Sequence, residues 1–271
     1  MKKKVAFLLG SMSTIPTIVN SNTPARLISA TVPQFNDFRI FTISKWDNNL
    51  NEKSYDKSKY LHVYNLRLHS AIAKFIGLFP ERLLKEYLSV ANVDRIIYYY
   101  GIYKILKQID PDIIISHLHL PLLKFAKFAC PNKKHIYYFH GSDLHKWPMK
   151  NIKYLSKNID GLITICKSTM NKVDIHNYNE KIKTQVIYNG VDLEIFNRET
   201  KYKLRATSRR NYNIDKDDLV IIYAGRIHPS KGIDILIDTF NQLVVDYPKL
   251  KLLIVGSPDG IHCDPKYYNE L

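Results

Sequence analysis

No stretch of the 271-residue sequence approaches the ~18 consecutive apolar residues of a membrane-spanning helix. Cysteine is scarce: Cys130, Cys166 and Cys263 form no CxxC pair and no metal-ligand spacing. Scattered thiols suit a reducing compartment and read as small apolar packing residues. The opening Met1-Lys2-Lys3-Lys4 and the apolar residues 5–9 mimic a secretion signal, but the apolar part is short and no small-residue cleavage site follows. A buried first strand explains it better, so the expected location is cytoplasmic. Low-complexity tracts and residue-level repeats are also missing, as is any recognisable RNA- or DNA-reading module. A nucleic-acid partner is therefore not expected.

What is present is enough apolar material for a substantial core, at 45% of residues. Of the net charge of +15, +13 falls within residues 1–195. Such a field attracts a phosphorylated substrate or an anionic membrane surface; a surface merely rich in lysine would look the same. Residues 60–90 and 122–128 mix basic with apolar side chains, as a peripheral membrane segment does. Their apolar residues fit a core-facing role better.

Short apolar runs alternate with amphipathic stretches, the pattern of α/β layers around a parallel sheet. Strands are expected over 4–9, 38–43, 112–116, 135–139, 161–165 and 185–188, and helices over 60–90, 95–108 and 121–129. After Asn189-Gly190-Val191-Asp192 the texture changes, and residues 197–218 are polar and charge-rich. The division expected is a first domain over 1–196, a linker over 197–218, and the start of a second α/β domain over 219–271. In that second domain a strand over 219–224 leads to a helix over 232–247 and a strand over 250–255. The helix rests on Ile233, Leu236, Ile237, Phe240, Leu243 and Val244, spaced to share one face, with Pro248 beyond it.

The segment Ala224-Gly225-Arg226-Ile227-His228-Pro229-Ser230-Lys231-Gly232 lies between that strand and that helix. Open α/β sheets bind ligands at the carboxyl ends of their strands. Gly225 and Gly232 permit close backbone approach, and the helix start adds N–H donors and a positive dipole end. Arg226 and Lys231 add a planar fork and a point charge. Together they make a cradle for a diphosphate; the alternative is an ordinary turn with two solvated cations.

The segment resembles the donor-phosphate loop of glycosyltransferase family 4, a Gly-Arg, a short spacer and a Lys-Gly before a helix. Leu252-Leu253-Ile254-Val255-Gly256 resembles the next strand and turn of that family, and Val186 to Asp192 with Phe196 resembles the stretch closing its first lobe. The resemblance implies a GT-B fold: a doubly wound, Rossmann-like first domain and a second Rossmann-like domain, here incomplete. It implies a retaining, metal-independent transfer of a sugar from a nucleoside-diphosphate sugar to a glycan or lipid-linked acceptor. Arg226 and Lys231 would stabilise the charge growing on the leaving nucleotide. No cofactor beyond the donor is expected. Asp110-Pro111-Asp112 reads as punctuation before a strand rather than as a metal motif.

Tyr138-Phe139-His140-Gly141-Ser142-Asp143 resembles the family's His-Gly turn, where the histidine lies beside the donor sugar. Asp143 would bond a sugar or cap a turn. His117 and His119 end another strand and are candidates for acceptor contact. Cys166 stands where the family more often has serine. Gly10, after the first strand, corresponds to a donor-contacting loop, without the family's usual second glycine. The family's paired second-lobe glutamates do not occur within 271 residues. A fragment or truncated chain is the expectation, and a non-enzymatic accessory subunit binding acceptor or membrane is the alternative. The setting implied is polysaccharide or lipopolysaccharide assembly at the cytoplasmic membrane face.

Overall fold

Runs rich in β-branched and aromatic residues, such as Ile113-Ile114-Ile115, form strands because their side chains fit a pleated surface buried on both sides. In a computed structural model, residues 2–8, 37–45, 61–66, 93–117, 119–141, 147–172, 175–191, 193–257 and 264–271 are described. They fall into two units, Met1–Gly190 and Val191–Leu271.

The first unit contains strands β1 (Lys3–Leu8), β2 (Phe38–Lys45), β3 (Leu61–Leu66), β4 (Ile113–His117), β5 (Lys134–Phe139), β6 (Gly161–Thr164) and β7 (Lys183–Val186). They form one parallel sheet in the order β3-β2-β1-β4-β5-β6-β7. The order reverses between β1 and β4, and the crevice beyond the carboxyl ends there is where doubly wound sheets take ligands. The described helices are α1 (Val93–Ile109), α2 (Leu120–Ala129), α3 (Met149–Asn158) and α4 (Lys167–Lys172).

Two apolar clusters hold the sheet to its helices. Leu8, Ile43 and Ile114 pack with Ile102 and Leu106 of α1 and with Leu122 of α2. Tyr137, Phe139 and Leu162 pack with Leu123 of α2 and with Ile152 and Leu155 of α3. Each fully buried Leu or Ile contributes about 1.5–3 kcal/mol by leaving water. The amphipathic stretch 122–128 thus turns Leu122, Leu123 and Ala126 inward, while Phe128 stays 83% exposed.

Residues 60–90 begin differently from expectation. Leu61–Leu66 is a strand paired in parallel with β2. Leu61-His62-Val63-Tyr64 alternates with period two, and a short apolar run does not by itself distinguish strand from helix. Residues 67–92 lie outside the described set. Asp110 and Asp112 make local bonds: Lys133 Nζ reaches an Asp110 oxygen at 3.0 Å, and Lys4 N donates to Asp112 Oδ2 at 2.8 Å.

The second unit contains α5 (Arg198–Asn211), β8 (Leu219–Ala224), α6 (Ile233–Asp246), β9 (Leu250–Val255) and α7 (Pro265–Glu270). The two strands pair in parallel. The division between units follows Gly190, and the stretch 197–218 holds a four-turn helix where a linker was expected. Its signals are local. Asn197 caps it by accepting from Thr200 N at 2.8 Å, Glu199 lies in its first turn, and Arg209 and Arg210 lie in its last. The Arg209 guanidinium then donates to the carbonyls of Asp215 and Asp218, both at 2.6 Å, closing the turn into β8.

Candidate functional site

The loop after β8 is fixed from beneath. Ile227 is 4% exposed and packs with Ile233 and Tyr267. Gly225 N donates to Val255 O at 2.9 Å, Tyr223 Oη donates to Arg226 O at 2.8 Å, and Asp264 N donates to Ile227 O at 3.1 Å. A 3-10 turn, Pro229–Lys231, follows, with His228 Nδ1 accepting from Ser230 N at 3.1 Å. Gly232, at φ 62°, reverses the chain into α6, a conformation a side chain would strain. One buried isoleucine thereby anchors a loop that carries Arg226 and Lys231 on its exposed surface.

The start of α6 is less open than the sequence implies. Asp234 N donates to Tyr267 Oη at 2.9 Å, and that hydroxyl donates to Asp234 Oδ1 at 2.7 Å. This bond holds the Asp234 carboxyl below its ordinary pKa. One terminal N–H is therefore occupied, and an anionic group already lies at the positive end of the dipole. The side chains of Arg226 and Lys231 carry more of any anion binding as a result.

In the first unit, β4 ends at His117, paired in register with Tyr138 of β5, and His140 follows β5 directly. This register brings His117 Nδ1 to 2.8 Å from His140 Nε2. The two rings lie 5.1 Å apart at 16°, and Tyr138 stacks on His140 at 4.1 Å. Phe7 of β1 flanks His117 at 5.9 Å, which places the pair at the reversal in strand order. Burial pushes the His140 pKa down to about 4, and burial with the neighbouring imidazole pushes His117 well below its usual value. Both rings are neutral at pH 7.

His117 is fully buried, so it offers no surface for acceptor contact; the β4–β5 register turns it inward against His140. His119 is half-buried and precedes α2, its N–H donating to His117 O at 2.7 Å. Gly10 and Asp143 lie outside the described residues.

The family model described as Glycosyltransferase Family 4 matches residues 74–195, and that described as Glycosyl transferases group 1 matches residues 205–269. The chain belongs to glycosyltransferase family 4. It is 26% identical over 224 residues to an uncharacterized glycosyltransferase of Methanocaldococcus jannaschii, covering 75% of this chain and 54% of that protein. It is 28% identical over 149 residues to the lipopolysaccharide 1,2-N-acetylglucosaminetransferase of Salmonella typhimurium, covering 55% and 35%. This family-4 chain therefore spans about half or less of the length of these relatives. Its fold is that of sucrose-phosphate synthase from Thermosynechococcus elongatus, with a TM-score of 0.65 at 13% identity over 99% of this chain and 66% of that one. A trehalose-6-phosphate protein from E. coli bound with UDP-2-fluoro glucose has the same fold, with a TM-score of 0.58 at 13% identity over 98% and 67%.

Two features of these loops escape a reading of the sequence. The sequence shows Gly256 only as part of a strand and the turn after it. A Cβ there would collide with the carbonyl group of Gly225, so the two strand ends meet through bare backbone. In the first unit, Thr169 Oγ1 donates to Gly141 O at 3.3 Å and lies 3.2 Å from Cys166 Sγ. The turn after β6 thus supports the His140-Gly141 turn. No local pattern announces either contact, because each joins segments distant in sequence.

A cavity of about 970 Å³ opens in the second unit between α5 and the strands. Phe196, Leu204, Ile222 and Leu253 line it, together with Lys201 and Arg205. Arg226 and Lys231 do not line it, so it is separate from the loop after β8.

Proposed function

We propose that the chain contributes to transfer of a sugar from a nucleoside-diphosphate sugar to a hydroxyl of a glycan or lipid-linked acceptor, with retention and without a metal. The observation that carries this reading is the β8–α6 loop. Buried Ile227 fixes the backbone, Tyr223 holds the carbonyl of Arg226, and two exposed cations flank the turn. A fork and a point charge on a rigid loop suit a diphosphate, with Gly225 and Gly232 giving the backbone its shape. In the transfer, the bond between the anomeric carbon and the diphosphate oxygen breaks. A bond to the acceptor oxygen forms, and the acceptor proton passes to the departing diphosphate. Arg226 and Lys231 offset the charge that develops on the leaving group, an electrostatic role worth several kcal/mol in a site that excludes water.

His140 belongs to the sugar side of this reading. As a neutral imidazole it hydrogen-bonds a sugar oxygen; it is not a cation stabilising the diphosphate. The Salmonella relative's activity favours lipopolysaccharide or other surface-polysaccharide assembly as the setting. The positive charge of residues 1–195 favours a peripheral position on an anionic membrane face. No helix among the described residues is long and apolar enough to cross a membrane.

Calorimetric titration with UDP-glucose, UDP-N-acetylglucosamine and GDP-mannose tests the reading. Arg226→Ala and Lys231→Ala should each weaken binding of the preferred donor by about 10- to 100-fold, the scale of a lost charge-assisted hydrogen bond. Equal affinity in the wild type and both variants would remove the basis of the assignment.

A further inference from the structure

The cavity between α5 and the strands takes no part in the donor loop, and its two sides differ in chemistry. Its floor is one face of the β8–β9 pair. Ile222 and Leu253 lie side by side in register and line it. Their chain neighbours Tyr223 and Ile254 face the other way, because strand residues alternate, and pack with Ile233 and Ile237 of α6. A parallel sheet is ordinarily covered on both faces. Here α6 covers one, while the other leaves Ile222 63% exposed beside a helix that buries none of its own residues.

The wall contributed by α5 is basic. Arg198, Lys201 and Arg205 recur at intervals of three and four, so they share a side of the helix with Leu204. Arg209 also lines the cavity, but its guanidinium is spent on the carbonyls of Asp215 and Asp218. The one acid of α5, Glu199, is taken by Lys203 at 2.6 Å. Among the described residues no carboxylate pairs with Arg198, Lys201 or Arg205, and none of the residues lining the cavity is acidic. An apolar floor thus lies beside a row of three cations without counter-charges.

We propose that this groove is a binding site for a long-chain alkyl phosphate, its chain lying on Ile222, Leu253 and Leu204 and its phosphate meeting the cations of α5. The volume of about 970 Å³ falls at the upper end of the range for small-molecule sites, about 300–1,000 Å³. A phosphate monoester carries a charge of about −1.5 to −2 at pH 7 and three acceptor oxygens, which suits a row of cations better than a single carboxylate does. Arginine offers such a group a fork and lysine a point charge. A second copy of the chain is the wrong occupant, because a two-fold contact would set this row of cations against itself. The apolar residues line a concavity rather than the outer face of a helix, which favours a single molecule over a bilayer surface. Neither Arg226 nor Lys231 lines the groove, so the site stands apart from the transferase reading.

Calorimetric titration of the full chain with dodecyl phosphate, below its micellar concentration, tests the site. Inorganic phosphate, which lacks the chain, and dodecyl maltoside, which lacks the charge, should each bind at least about 10-fold more weakly. Lys201→Gln combined with Arg205→Gln should weaken dodecyl phosphate about 10- to 100-fold and leave dodecyl maltoside unchanged. Leu204→Asn should weaken dodecyl phosphate about 10-fold. These substitutions fall on a helix with no buried residue, so the fold should survive them. Ile222→Thr, which keeps a β-branched residue in β8, repeats the test of the chain from the floor. Arg226→Ala should bind dodecyl phosphate as the wild type does.

Equal affinity for dodecyl maltoside would reduce the groove to a sheet face that adsorbs detergent, and would overturn the proposal. So would an affinity that neither the cation nor the apolar substitutions change, or one lost in Arg226→Ala, which would move the phosphate to the donor loop. A dimer in sedimentation velocity that Leu204→Asn and Ile222→Thr dissociate would give the face to a second copy instead. Vesicle binding lost in the groove variants, with no binding of monomeric dodecyl phosphate, would give it to a membrane. Failure of every nucleotide sugar to bind would sink the transferase reading and leave this result standing.

Discussion

The hydroxyl of Tyr223 donates to the carbonyl oxygen of Arg226 at 2.8 Å, so the residue that would grip a phosphate has its backbone tied to the strand before it. Removing that hydroxyl should loosen the loop and leave the charge of Arg226 in place. Tyr223→Phe is expected to cost about 0.5–1.5 kcal/mol of donor binding, roughly a 2- to 12-fold rise in Kd, read by calorimetry. Gly225→Ala should act in the same direction, because its Cβ would lie 2.7 Å from the Tyr223 hydroxyl and displace it. A Kd equal to wild type in both variants would show that the tie is irrelevant to binding.

Gly256 meets the carbonyl of Gly225 with no room for a Cβ. Backbone yields less readily than the end of a side chain, so Gly256→Ala should force the ends of β8 and β9 apart. We expect a loss of about 1–3 kcal/mol in the stability of the second unit. Urea denaturation followed by tyrosine fluorescence checks it, and a midpoint within error of wild type would contradict the close approach.

Stability should depend on acid through buried histidines. Burial pushes His135 and His140 down to about 4, and His117 also lies well below its usual value. Between the unfolded histidine pKa of about 6.5 and these folded values, the unfolded chain binds more protons. The stabilising contribution is therefore complete above about pH 6.5 and declines as pH falls toward 4. Each group removes about 1.4 kcal/mol per pH unit across that window. Thermal midpoints between pH 8 and pH 4 should be flat at first and then fall. Replacing His135 by Gln should shallow the fall.

The positive field of the first unit should draw the chain to acidic lipid. Co-sedimentation with vesicles containing phosphatidylglycerol should exceed that with neutral phosphatidylcholine vesicles at low salt, and decline as ionic strength shortens the screening length. Equal sedimentation with both lipids would leave the charge as a property of a lysine-rich surface alone.

Elements whose signals are local were legible in the sequence. Strands β8 and β9 occupy the expected residues, and α6 differs only at its ends, because apolar spacing and the flanking Pro248 act within one segment. Leu61–Leu66 is a strand where the sequence suggests helix, since six residues offer too little pattern to separate the two periods. Helix α5 is not legible in the sequence because none of its residues is buried, so no core-facing stripe marks it.

The sequence by itself determined the α/β layering, the strand–loop–helix unit around Arg226 and Lys231, and membership of a glycosyltransferase family. These follow from side-chain types at short spacings, which act through backbone propensity and local burial. The tertiary structure alone decided that His117 faces His140 rather than an acceptor, that Tyr267 occupies part of the α6 terminus, and that Gly256 is needed beside Gly225. Each of these joins residues between 23 and 33 positions apart, and only strand register and packing bring such residues within bonding distance.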